Sequence, residues 1–151
     1  MCACLFVCRG VADAKDLEQL SRNKITHIIS IHDSPHLESS FYFIFPASKK
    51  HFKECISFIH YCRLHGGNCL VHCLAGISRS TTIVVAYVMV VTELSWQEVL
   101  QAVTAVRPIA NPNPGFKQQL EEFGREQSGS LGKLDASKLC ILIWLNGYVF
   151  I

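Results

Sequence analysis

Five residues separate Cys73 from Arg79, and the neighbours are as informative as the pair: His72 precedes the cysteine, Gly76 stands inside the interval and Ser80 follows the arginine. The intervening Leu74, Ala75, Gly76, Ile77 and Ser78 carry no charge. A run of this kind, entered from a short apolar strand and left through a helix, makes a loop whose backbone N–H groups converge on one point, with the positive end of the helix dipole aimed at the same place. The ligand that suits it is an anion of phosphate size. The same donors favour a thiolate at Cys73, lowering its pKa towards the ~3.5–7.5 range of activated cysteines and making it a nucleophile. Arg79 adds a planar two-pronged donor that can grip two equatorial oxygens and offset transition-state charge, which the point charge of a lysine cannot do. The Ser80 hydroxyl is placed to hydrogen-bond the sulfur and ease its departure when a phosphocysteine is hydrolysed. Gly76 allows the loop to turn where φ must be positive. His72 is read as holding the loop through backbone hydrogen bonding rather than as an acid or base. This chemistry calls for no metal and no cofactor.

Spacing alone is a weak signal, since 8 cysteines and 6 arginines in 151 residues give about 0.3 chance matches to such a pair. Including His72, Gly76 and Ser80 lowers the expectation to on the order of 10⁻⁴. The elements that must position these residues agree. The pattern Ala14, Leu17, Leu20 predicts a short amphipathic helix from Asp13 to about Asn23. The β-branched run Ile25–Ile31 reads as a strand bounded by Asp33-Ser34-Pro35, and Phe41–Phe45 as a second ending at Pro46. Phe52, Cys55, Ile56, Ile59 and Cys62 recur at helical spacing until Gly66-Gly67, and Cys69-Leu70-Val71 follows as a buried strand. Thr81 to Val91 favours strand by propensity, yet it starts where the anion loop ends, so it is read as a fully buried helix. Ser95 caps the next helix, with Val99, Ala102 and Val106 on one face, and Asn113-Pro114 opens a last one with Phe116, Leu120 and Phe123 inward. This order implies an α/β sandwich with a small, mostly parallel sheet flanked by helices.

The length fits one domain. Half of the residues are hydrophobic and 17% charged, and the net charge of +2 gives no footing for nucleic acid. The cysteines at 2, 4, 8, 55, 62, 69, 73 and 140 lack the paired spacings of a zinc site, and Cys55, Cys62 and Cys69 fall in core segments. With no secretory signal read at the N-terminus, reduced thiols and a cytoplasmic location are expected. After Gln127 the composition shifts to Ser128-Gly129-Ser130-Leu131-Gly132, read as a flexible joint leading to an apolar tail, Leu139 to Ile151, that is shorter than a membrane-spanning helix.

The run Leu70 to Ser80 resembles the phosphate loop of the atypical dual-specificity protein phosphatases. Asp13–Leu17, Lys24–Ser30 and Arg107–Phe116 resemble the small subgroup that includes VHY and the JNK-stimulatory phosphatase. The resemblance covers roughly residues 11–124 and divides the chain into a divergent segment 1–10, a phosphatase domain 11–127 and the joint and tail 128–151. It implies the three-layer cysteine-phosphatase fold and phosphorylated protein substrates bearing phosphotyrosine or phosphoserine/threonine. Asn113 would brace the phosphate loop from behind.

Three departures from the family pattern stand out. Members carry a general-acid Asp between the second strand and the following helix, but here Phe45-Pro46-Ala47-Ser48-Lys49-Lys50-His51-Phe52 runs through without an acid. The general acid is left unassigned, since nothing in the sequence fixes the geometry of Asp33, and proton donation worth ~10²–10⁴-fold is expected to be weakened. Cys2 stands where the subgroup has a myristoylated glycine, so anchoring by that lipid is not expected. The family's opening strand is read as missing, with Leu5-Phe6-Val7 as a substitute strand or an unpaired segment. The alternative to a weakened phosphatase is a catalytically impaired module that binds phosphoproteins.

Overall fold

The computed structural model describes residues 6–9, 14–32, 42–45 and 48–127. In chain order its elements are strand β1 (Phe6–Arg9), helix α1 (Leu17–Arg22), strands β2 (Ile25–Ile31) and β3 (Tyr42–Phe45), a 3-10 turn (Lys49–His51) running into helix α2 (Phe52–Leu64), strand β4 (Asn68–His72), and helices α3 (Arg79–Thr92), α4 (Trp96–Val106) and α5 (Pro114–Gln127). The strands form one sheet in the order β1-β4-β2-β3, and every pairing is parallel.

Alternation along the two inner strands builds the layers. Ile29 and Ile31 of β2 and Cys69 and Val71 of β4 join the main core with residues from α2 to α5. Ile28 and Leu70, one position out of phase, pack with Ala14, Leu20 and Ile25 in a smaller cluster on the α1 side. The expected three-layer α/β arrangement is therefore present. β4, an inner strand, leads directly into Cys73.

Of the two readings of the N-terminal segment, the substitute strand is the one formed: Phe6 to Arg9 pair with β4 in register Phe6 to Cys69 and Arg9 to His72. Four residues suffice because β4 offers a complete ladder edge. α1 is shorter than expected; Asp16 caps it by accepting from the Glu18 and Gln19 N–H groups. Leu17, placed on an inward stripe by its spacing, is 78% exposed at the first helical position.

α3 is buried at every residue from Ser80 to Met89. Its β-branched side chains suit that central position. The Thr81, Thr82 and Thr92 hydroxyls donate to the Ile77, Ser78 and Val88 carbonyls at 2.8, 2.8 and 2.6 Å, which satisfies them in the core. Ser95 and Glu98 form a capping box at the start of α4. Val99 and Val103 make its buried face, while Val106, expected inward, is exposed at the last turn. The Asn113 Oδ1 accepts from the Phe116 N–H at 2.9 Å, starting α5. Leu120 and Phe123 are buried there and Phe116 only in part. Segment 128–151, Asp33, Cys2, Cys4 and Cys140 lie outside the described residues.

Candidate active site

β4 ends at His72 and α3 begins at Arg79, so the loop Cys73–Ser78 hangs between the central strand and the central helix. The Cys73 Sγ is 3.3 Å from the Ser80 Oγ and accepts the Gly76 N–H at 3.2 Å. Burial pushes the Cys73 thiol up, but the Ser80 hydroxyl and the N–H groups of Ser80, Gly76 and Ala75 together hold it below its ordinary value. Gly76 turns at φ 67°, which a side chain would disfavour.

The loop is tied from outside. The Gly76 carbonyl accepts from the Arg107 Nε at 3.1 Å and the Ile77 carbonyl from the Asn111 N–H at 2.9 Å. The Ser78 Oγ accepts from the Asn113 N–H at 3.0 Å. With these carbonyls engaged on the outer side, the Gly76 N–H turns to the Cys73 sulfur, as an anion cradle requires. Asn113 thus touches the loop by its main chain, while its side chain caps α5. In the sequence Arg107 stands only as the start of the run Arg107–Phe116, with no role of its own, since its partner lies 31 positions away.

Arg79 is the first residue of α3 and partly exposed, and Leu74, Ala75 and Ile77 are exposed around the loop. His72 is buried, its ring edge-on to that of His32 at 6.0 Å. Burial first and His32 second lower the His72 pKa to about 4, against a backbone hydrogen bond at Cys73 that raises it. The imidazole is therefore neutral near pH 7. Among the described residues no group of three or more His, Cys, Asp or Glu is placed to hold a metal ion, and no helix is long and apolar enough to cross a membrane.

The β3–α2 connection is short and pinned. The Lys49 N–H donates to the Gln119 Oε1 at 2.6 Å, and the Lys49 Nζ lies 3.2 Å from Glu122 and 2.7 Å from Glu126 on α5. Ser48 to His51 bring no carboxylate to this stretch.

The family profile described as dual specificity phosphatase, catalytic domain, matches residues 7–126. Dual specificity protein phosphatase 15 of Homo sapiens is 69% identical over 121 residues, covering 74% of this chain and 41% of that protein. Dual specificity protein phosphatase 22 of Homo sapiens is 54% identical over 124 residues, covering 76% of this chain and 67% of that protein. Both fall in the subgroup that the motifs resemble. The crystal structure of DUSP15 superposes with a TM-score of 0.73 at 57% identity, covering 93% of this chain and 90% of that one. The chain spans 41% and 54% of the lengths of the human and Mus musculus forms of phosphatase 15.

Proposed function

Because the chain belongs to the dual specificity phosphatase family, we propose that it is a protein phosphatase acting on phosphotyrosine and phosphoserine/threonine through a phosphocysteine. The observation that carries this reading is the Cys73 sulfur held between the Ser80 hydroxyl and the Gly76 N–H, with its pKa lowered in spite of burial. In this mechanism the loop N–H groups of Leu74 to Arg79 and the Arg79 guanidinium hold the phosphoryl oxygens. The Cys73 thiolate attacks phosphorus and the ester P–O bond breaks. Water then attacks the phosphocysteine, the S–P bond breaks, and the Ser80 hydroxyl stabilises the departing thiolate. His72 supports the loop as a neutral ring.

Proton donation to the leaving oxygen is the weak step, since no acid occupies Phe45 to Phe52. That absence also supports the second reading, a module that captures phosphoproteins without turning them over. The deciding experiment compares an aryl phosphate that has a good leaving group with phenyl phosphate and a phosphoserine peptide, for wild type and Cys73→Ser. Turnover of the first that needs Cys73, with near silence on the others, supports an acid-deficient phosphatase. Phosphopeptide binding by folded protein with no hydrolysis of any substrate would transfer the assignment to the binding module.

A further inference from the structure

Of the seven large apolar side chains left exposed among the described residues, Leu17, Tyr61, Leu64 and Val106 lie on helices and the other three lie on the phosphate loop or the segment tied to it. Leu74 and Ile77 of the phosphate loop are 68% and 38% exposed, and Ile109 is 54% exposed in the α4–α5 connection. The two segments are held side by side by the hydrogen bonds from the Asn111 N–H to the Ile77 carbonyl and from the Arg107 Nε to the Gly76 carbonyl. Ile109 is displayed on a fixed support: the Ala110 N–H donates to the Arg107 carbonyl at 3.0 Å, closing a turn, and Ala110 itself is buried in the main core. The turn takes Pro108 at its first corner, as such turns commonly do, and Ile109 at its second. Ile109 therefore stands on a segment tied to the loop that carries Leu74 and Ile77, and the three exposed side chains are read as an apolar rim to the site.

We propose that this rim selects protein substrates in which apolar side chains flank the phosphorylated residue. The inference rests on the phosphatase reading of the same loop and adds the substrate class. Continuity with the phosphate loop argues for a peptide over a lipid surface.

The test uses the full chain and two phosphotyrosine peptides of equal length and charge, one flanked by Leu and Ile and the other by Ser and Thr. Wild type should prefer the apolar peptide in kcat/KM by about three- to tenfold, the effect of covering one or two half-exposed aliphatic side chains. Ile109→Ser should reduce that preference to within about twofold, through KM, while turnover of a small aryl phosphate is unchanged. Equal use of both peptides by wild type overturns the inference. Ile109-dependent binding to phosphoinositide vesicles, or an Ile109-dependent dimer, without a peptide preference overturns it as well. If no aryl phosphate is turned over, the phosphatase reading fails instead. Binding of the two peptides to Cys73→Ser then decides the rim by the same ratio.

Discussion

Cys73 is subject to opposed influences, because burial favours the thiol while four hydrogen-bonding contributions from Ser80, Gly76 and Ala75 favour the thiolate. At Cys55 burial is the largest influence and Glu54 adds to it, and the thiol is pushed up to about 12. Iodoacetate should therefore modify Cys73 at a pH below the ordinary thiol range and leave Cys55 intact, with inorganic phosphate protecting the former; mass spectrometry of native protein reads both. Removing the hydroxyl in Ser80→Ala should move the titration of Cys73 upward and slow breakdown of the phosphocysteine by about 10–100-fold, the worth of one charge-assisted hydrogen bond. Rapid-quench kinetics would show the intermediate accumulating in the variant. Unchanged breakdown would remove Ser80 from the mechanism.

The α4–α5 connection acts on the site through its tie to the loop. Arg107→Ala should lower kcat/KM for aryl phosphate about tenfold with little change in Tm, and Lys should not rescue it, since the donor is the Nε of a planar guanidinium. Equal activity in the alanine variant would show that the loop holds its shape unaided. The α2–β4 turn carries a packing constraint: a Cβ on Gly67 would run into the Thr26 Oγ1 and the Cys62 Sγ. Gly67→Ala should cost ~1–3 kcal/mol by denaturant unfolding. At this scale the sequence was most readable where one signal sufficed. The helix at Thr81–Val91 could be told from a strand because it follows the anion loop, and Ser95 and Asn113 are side-chain caps with local partners. β1 was harder, because four residues draw their strand character from the ladder that β4 provides. Leu17 and Val106 fell at the ends of helices, where periodicity no longer decides which way a side chain faces. Cys73, Arg79 and Ser80 were picked out by spacing, and the structure brings the Cys73 sulfur and the Ser80 hydroxyl together; the Arg107 contact was not legible, because it joins segments far apart in the chain.

The molecule has unequal cores on the two sides of its sheet, and its acid stability follows from the smaller one. His72 alternates with Leu70 along β4 and so faces the α1 side, paired in register with Ser30 and edge-on to His32. A charge there would be desolvated, which is why its folded pKa is lowered from 6.5 to about 4. Between those values the unfolded chain binds the additional proton, so stability rises with pH across the window and is lost as pH falls through it. The loss reaches roughly 3 kcal/mol, a large part of a total margin of ~5–15 kcal/mol. Glu98 and Glu122, whose pKa values are lowered, act in the same direction but below the ordinary glutamate range, so the upper part of the window belongs to His72. Urea midpoints should therefore fall between pH 6.5 and 4.5 for the wild type, while His72→Gln, whatever its starting stability, should show a flatter dependence. A wild type as flat as the variant would mean that His72 takes up its proton without penalty in the folded state. A steep wild type would mean that protonation of His72 withdraws folded protein on acidification, so activity in that window must be corrected for the folded fraction.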